Sequence, residues 1–445
     1  MYYYLISLGC PKNTVDADDM GILLDHAGHK PVADPTKADV LLVNTCGFIE
    51  PARAESLQVL NELAQIKRPD QRLIATGCWA QRDGAVLARQ VKGLDGILGT
   101  RRWAEVVSIV ERLDRHRGMT LIGDPPTSED VRVPRVSIQG RSSYLKIADG
   151  CSASCAFCAI PLIKGPAYSR PSEDIIADAR YLAEKKVQEI VLIAQDTTAY
   201  GRDRNEKDAL PGLLDALIAA IPQVPWIRLM YAYPQHVSRR LIETIAHHPQ
   251  ICHYLDIPLQ HAHPATLKRM RRPADVERVY RLIEDFRKAM PDIAIRTSFI
   301  VGYPGETEAE FRALEAFVQE IRFDKVGVFT YSPERGTAAF DLPDQVAEEC
   351  RTERYDRLMS LQQSISLARN QEQVGRRLTL LIEGYGEAES EEPDQSTFPI
   401  SVGRSYRDAP EIDGLVLVEG KIESGQMIQA QITGAMEYDL IGVVQ

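Results

Sequence analysis

Short apolar runs, each followed by a stretch of helical periodicity, recur in two separate parts of this chain, and that alternation most restricts how it can fold. Over 1–122, runs at 2–8, 40–43 and 73–75 alternate with helical stretches such as 51–66, which predicts an open parallel α/β sheet. A turn-rich linker follows over 123–138, opening with Gly123-Asp124-Pro125-Pro126. A second series over 139–371 has expected strands at 144–148, 189–193, 226–230, 254–257, 294–300 and 326–329. These predict a partial (β/α) barrel with its active groups on the loops at the strand C-termini. Ser172 is expected to cap one helix, with Glu173 and Asp174 in its first turn and Lys185 and Lys186 in its last. Thr307 with Glu310 has the pattern of a capping box. A long polar helix over 345–371 leads into 372–445, where short alternating strands at 378–382, 398–402, 415–418 and 428–432 predict a small β-barrel.

A chain of 445 residues has room for these three folded parts, and 44% hydrophobic with 26% charged residues is a soluble globular balance. Apolar runs such as Ile190 to Ala194 are far too short to span a bilayer, and the first residues lack a basic export region. A cytoplasmic address is therefore expected. In that reducing compartment eight cysteines point to metal ligation or catalysis rather than disulfides. The net charge of -11 argues against extensive nucleic-acid contact. Most of it sits in one place: 371–445 holds five basic and fourteen acidic residues, or -9, leaving -2 for the rest. This face is either solubilising or a dock for a basic macromolecule.

The cysteines carry the chemistry. Cys151, Cys155 and Cys158 stand at C-x3-C-x2-C spacing straight after an expected strand, so one loop can wrap one metal centre. No fourth cysteine follows nearby, which leaves one iron of a cubane open to a small molecule. A zinc site would call for paired C-x2-C or Cys/His sets, and none is present. Cys10, Cys46 and Cys78 are far apart in sequence, yet each follows an apolar strand. Loops at the carboxyl ends of neighbouring parallel strands converge, so these three can share a second centre, with Gly9, Gly47 and Gly77 permitting close backbone approach. Cysteines at strand ends are also often merely buried, and Cys252 and Cys350 are read that way.

The central spacing, with Phe157 before its last cysteine, resembles the signature of the radical S-adenosylmethionine superfamily. The chain as a whole resembles the methylthiotransferases, and within them the branch that modifies an aspartate of a ribosomal protein. The resembling motifs are Leu8-Gly-Cys10-Pro-Lys-Asn-Thr-Val-Asp16, Asn44-Thr-Cys46-Gly-Phe-Ile, Thr76-Gly-Cys78-Trp-Ala-Gln-Arg82 and Ala159-Ile-Pro161. They continue with Gln195-Asp196, Tyr254 to His261, Gly302-Tyr-Pro-Gly-Glu306, Tyr331-Ser-Pro-Glu-Arg-Gly-Thr337 and Gly403 to Gly414.

The resemblance implies an N-terminal methylthiotransferase domain, a radical barrel and a C-terminal TRAM domain that grips substrate. It implies two [4Fe–4S] clusters, one on Cys10, Cys46 and Cys78 and one on Cys151, Cys155 and Cys158. S-adenosylmethionine would bind the open iron of the second and be cleaved there to a 5′-deoxyadenosyl radical. The implied transferase reaction is β-methylthiolation of an aspartate of small-subunit ribosomal protein S-twelve. One S-adenosylmethionine donates the methyl and another the radical, sulfur reaches the auxiliary cluster, and a flavodoxin or ferredoxin supplies electrons. The clusters and cofactor carry the reaction, so no side chain is assigned a catalytic role. Phe157, Gln195, Arg296, Ser298, Gly302, Pro304 and Gly305 are expected to contact the cofactor. For Gly302–Gly305 a plain type II turn is the alternative, and for Arg296 and Ser298 a structural hydrogen bond. His261 is read as a satisfied core histidine. Lys164 and Ala17 depart from the usual pattern, and since neither is a cluster ligand only fine positioning is affected.

Two other functions fit parts of this pattern. A tRNA adenosine methylthiotransferase shares both cysteine trios, but its TRAM domain should be basic to grip phosphate. A non-catalytic iron–sulfur carrier would need fully capped clusters.

Overall fold

The computed structural model describes residues 1–113, 118–124, 133–389 and 397–444. Much of the expected linker over 123–138 lies outside the described residues. The chain divides into two compact units. One comprises Met1–Ser137, Tyr144–Tyr168 and Ser332–Phe340, and the other Ile138–Ser143, Ser169–Tyr331 and Asp341–Gln445.

In the first unit, strands β1 (Tyr2–Ser7), β2 (Lys30–Pro31), β3 (Val40–Thr45), β4 (Arg72–Thr76), β5 (Gly96–Gly99) and β6 (Met119–Leu121) form one sheet in the order β2-β1-β3-β4-β5-β6. Every pairing in it is parallel, as the alternation predicts. Period-two alternation divides the buried strand residues between two cores. Val40, Leu42 and Ile74 face α1 (Pro11–His26) and α4 (Val106–Leu113) through Met20, Leu24, Ile109 and Leu113. Leu41, Val43, Leu73 and Ala75 face α2 (Glu50–Ile66) and α3 (Gly77–Gln90) through Leu60, Leu63, Trp79 and Leu87.

The second unit holds the parallel barrel strands Glu189–Ile193, Trp226–Leu229, Tyr254–Asp256, Ala294–Val301 and Lys325–Thr330, near the expected positions. The Thr307 capping box is present with both of its hydrogen bonds. Ser172 is not a cap: Pro171 takes the cap position, Ser172 is the first helical residue and its hydroxyl turns to Glu173, 3.3 Å away. The helix ends at Glu184, so Lys185 and Lys186 follow its last turn instead of lying in it. The polar helix runs Glu348–Gln371. Beyond it, strands Arg377–Glu389, Thr397–Ser405, Val416–Glu419, Leu440–Val444 and Met427–Ala435, in that spatial order, close a barrel. The closing strand Leu440–Val444 is one more than the sequence reading placed there.

The loop after Thr397–Ser405 reaches the N-terminal ends of the parallel strands. Arg404 donates to Glu189 Oε2 at 2.6 Å and Arg228 donates to Glu189 Oε1 at 2.7 Å, and all three side chains are buried. Arg407 pairs with Asp324 at 2.6 Å, Asp408 with Lys325 at 2.9 Å, and Tyr254 donates to Asp413 at 2.6 Å. Thus Asp408 and Asp413, two of the acids expected on a docking face, point inward, while Glu391, Glu392 and Asp394 lie outside the described residues.

Burial pushes the Glu189 carboxyl up, but Arg228 and Arg404 outweigh it and hold the group at about 2. Its stabilisation is therefore present above the ordinary value of 4.5 and is lost as pH falls from there toward 2. Glu189→Ala, which leaves two buried guanidinium groups without their counter-charge, should cost about 3–5 kcal/mol. A lowered urea midpoint at neutral pH tests this; an unchanged midpoint contradicts the network.

Candidate functional site

The strand register explains why three distant cysteines meet. Ser7 at the end of β1 pairs with Asn44 of β3, and Asn44 pairs with Thr76 of β4. Thr45 then bridges Gly77, so Cys46 and Cys78 leave neighbouring strands at the same level. Glycine is required here. Gly9 has φ +91°, and a Cβ on it would lie 2.8 Å from Cys46 Cβ and 2.9 Å from its Sγ. A Cβ on Gly47 would meet the Trp79 backbone at 2.6 Å, and Gly77 has φ +92° against Asn44 and Thr45. Asn13, a residue given no role by the sequence reading, ties the loops together. Its amide donates to the carbonyls of Leu8 (2.7 Å), Asn44 (3.2 Å) and Thr45 (3.3 Å), and its Oδ1 accepts from Cys78 Sγ at 3.7 Å.

Cys10 is exposed, Cys46 partly buried and Cys78 buried. Burial pushes the Cys78 thiol up to about 12, with Lys164 pulling it back and Cys10 and Cys46 adding to the rise. Gly9 against Cys46 Sγ, and Asn13 bonded both to Cys78 and to the carbonyls before Cys10 and Cys46, bring the three cysteine loops to one place. Among the described residues no three Cys, His, Asp or Glu side chains are grouped to hold a single metal ion. A cubane asks for a wider set, because each thiolate caps a different iron. An all-sulfur donor trio at the mouth of glycine-lined loops fits such a cluster.

The second trio lies in the same unit. Gly150, at φ +71°, lets the backbone turn where a Cβ would stand 2.1 Å from the Pro166 carbonyl, and Cys151 N–H donates to Gly165 O at 3.0 Å. Cys158 N–H donates to Cys155 O at 3.1 Å and Ala153 N–H to Cys151 Sγ at 3.4 Å, so the loop coils on itself. Phe157 is half-buried. The helix Ile160–Lys164 follows directly, and its Ile163, with Ala159, packs against Cys78. One trio thus touches the segment that begins one residue after the other trio ends.

Beneath that contact is a buried charge cluster that the sequence reading missed. Asp16 of α1 accepts from Lys164 at 2.6 Å and pairs with Arg135 at 2.5 Å and with Lys146. Lys164 also donates to Thr100 Oγ1 at 2.7 Å and faces Asp149, two residues before Cys151. Burial pushes Asp16 up, but Lys146, Lys164 and Arg135 outweigh it and hold it below the usual carboxylate range. Asp149 and Asp16, with Cys78, in turn raise Lys164 well above an ordinary lysine. Lys164 and Lys146 both join Asp16 of α1 to Asp149, just before the second cysteine loop. Ala17 is a core residue of the sheet.

In the second unit, Gln195 and Asp196 follow a barrel strand at its C-terminal end. Asp196 caps the 3-10 turn Thr197–Ala199 and meets His236 Nδ1 at 2.8 Å. Gly302 (φ +69°) follows the next-to-last strand, and a Cβ on it would lie 2.1 Å from Arg351 Cγ. Tyr303 to Glu306 is a type II turn: Gly305 has φ +71° and Glu306 N–H donates to Tyr303 O at 2.8 Å, with Pro304 before the glycine. His261 is buried and accepts from His263 N–H at 2.9 Å through Nδ1, while its Nε2 faces Glu306 at 3.5 Å without a hydrogen bond, so it is not the fully satisfied core histidine expected. Ser298 is buried near the middle of its strand. The Arg296 guanidinium pairs with Asp256 at 2.8 Å and with Asp413 at 3.4 Å.

Three family models match in order: "Uncharacterized protein family UPF0004" over 2–99, the radical SAM superfamily over 145–318 and the TRAM domain over 374–444. The chain is 51% identical over 458 residues to the ribosomal protein uS12 methylthiotransferase RimO of Chloroflexus aurantiacus, covering 99% of both chains. It is 49% identical over 463 residues to RimO of Roseiflexus sp., covering 99% of this chain and 97% of that one. The chain belongs to the RimO family.

Among solved structures, the radical S-adenosylmethionine methyltransferase TsrM of Kitasatospora setae aligns with a TM-score of 0.55 at 13% identity, over 88% of this chain and 79% of that one. At that identity the likeness shows the fold. Within the RimO family motifs, Asn13, Asp16 and Arg82 sit beside the cysteines, and their roles became visible only with the contacts between segments. Asp16→Ala should destabilise the first unit by about 3–5 kcal/mol, since it leaves the buried Lys146 and Lys164 to share Asp149 alone. Denaturant unfolding of the metal-free protein reads this, and a loss below about 1 kcal/mol, the scale of an exposed pair, would contradict the buried cluster.

Proposed function

We propose that this chain methylthiolates the β-carbon of an aspartate of ribosomal protein uS12, the substrate named for its relatives. The observation that supports the reading is the packing of Cys78 on Ala159 and Ile163, in the segment that follows directly on Cys158. Bound there, two [4Fe–4S] clusters and S-adenosylmethionine would supply the electron, radical, methyl and sulfur that no side chain provides. Two S-adenosylmethionine molecules would be used per turnover, with an external sulfur donor and a flavodoxin or ferredoxin as reductant, in the cytoplasm. Among the described residues no helix is long and apolar enough to cross a membrane.

The chain's own residues hold, orient and seal. Cys10, Cys46 and Cys78 would ligate the auxiliary cluster and Cys151, Cys155 and Cys158 the other. Phe157, Gln195, Ser298, Gly302, Pro304 and Gly305 are proposed cofactor contacts. Arg296, ion-paired with Asp256 and Asp413, is a further proposed contact.

The TRAM surface favours a protein over a tRNA substrate. Two of its five basic residues, Arg404 and Arg407, are buried, while Glu387, Glu411, Glu419 and Glu423 are exposed. Such a face suits a basic ribosomal protein and repels phosphate. Anaerobically reconstituted enzyme with reductant, sulfide and S-adenosylmethionine should therefore add a methylthio group to a uS12 peptide bearing the target aspartate. Modified tRNA beside untouched peptide, both read by mass spectrometry, would reverse the assignment.

A further inference from the structure

The segment Ser332–Phe340 belongs to the same compact unit as both cysteine trios. Its Glu334 carboxylate is buried at 2% exposure. Oε1 accepts from Glu50 N–H at 2.9 Å and from Ser332 Oγ at 2.8 Å. Oε2 accepts from Arg82 at 2.8 Å and also pairs with Arg53. These partners flank the first trio. Glu50 and Arg53 begin the helix after Cys46, and Arg82 lies one turn beyond Cys78 on α3. Arg82 also donates to Gly47 O at 2.9 Å, next to Cys46, and to Arg335 O at 2.8 Å. The other end of the segment reaches the second trio. Ala339 N–H donates to Ala156 O at 2.8 Å, between Cys155 and Cys158, and a Cβ on Gly336 would stand 3.2 Å from Leu162 Cδ1. Thr337 closes the segment on itself, its N–H and hydroxyl donating to Glu334 O at 3.1 and 2.7 Å.

We propose that Glu334 is a positioning residue: it anchors a strap that sets the spacing between the two cysteine centres. The argument is geometric. Apolar packing would hold these segments together without the cost of desolvating a carboxylate and two guanidinium groups. What the contacts from Glu334 to Glu50, Arg53 and Arg82 add, with the Ala339–Ala156 bond at the other end of the segment, is a fixed angle and distance between the Cys46 loop, the Cys78 helix and the Cys155–Cys158 loop. Group transfer between two centres depends on that distance, and a displacement of about 1 Å costs on the order of 100-fold in rate. The proposal rests on the two-cluster reading above.

The test compares anaerobic holoenzyme, wild type against Glu334→Ala, by iron content, by spin–spin relaxation between the reduced clusters, and by product formed per 5′-deoxyadenosine released. The variant should keep its iron and still cleave S-adenosylmethionine, while its inter-cluster relaxation changes and product per 5′-deoxyadenosine falls on the order of 100-fold. Arg53→Met, which leaves Glu334 paired with Arg82, should show a smaller fall. An unchanged ratio and unchanged relaxation in Glu334→Ala would overturn the strap. So would loss of iron from both variants, which would make Glu334 a folding residue. A wild-type protein with a single cluster would instead overturn the two-cluster reading itself, and the strap with it.

Discussion

Three parallel strands that end level with one another oblige the loops after them to meet, and the functional architecture of this chain follows from that. The alignment of Ser7, Asn44 and Thr76 brings Cys10, Cys46 and Cys78 to one place although more than thirty residues separate successive cysteines. Close approach then leaves no room for side chains, hence glycine at 9, 47 and 77. The same crowding lets Cys78 rest on Ala159 and Ile163 and so against the second cysteine loop. Sheet register, residue size and packing thus converge on one outcome.

Charge does the joining wherever segments distant in sequence must hold a fixed relation. Asp16 gathers Lys146, Lys164 and Arg135, Glu189 gathers Arg228 and Arg404, and Glu334 gathers Arg53 and Arg82. In each case a single buried carboxylate meets two or more cations from separate segments. Such sites are costly to desolvate and add little net stability over apolar packing, yet losing the carboxylate is severe. Their effect is to permit one arrangement of the segments and penalise others. The Glu189 cluster also means that the C-terminal barrel is seated through a loop whose charges point inward, where Arg404 and Arg407 offset Asp408 and Asp413.

Much of this was legible in the sequence because it is local. Strand and helix order, the capping box at Thr307 and the glycines beside the cysteines are each written in a few adjacent residues. The long-range partners were not legible. Asp16, Asn13 and Glu334 stand in motifs that a reader can quote, but nothing adjacent says that Asp16 meets Lys164 or that Glu334 meets Arg82. Arg296 shows both sides. Its place facing the barrel interior is readable from strand alternation, but its pairing with Asp413 comes from a return of the chain that nothing near Arg296 announces. Ser172 has the neighbours that suit a cap, but Pro171 takes that position. The strand Leu440–Val444 escaped notice because its register is set by partners on Val416–Glu419 and Met427–Ala435 and not by its own composition.

The central claim is that two separate three-cysteine centres each hold an iron–sulfur cluster. Iron and acid-labile sulfide measured on anaerobic protein, for wild type, Cys10→Ala and Cys155→Ala, address it most directly. The account predicts that each variant loses one cluster and keeps the other. Loss of all iron from either variant, or a wild-type content no greater than that of one cluster, would contradict it.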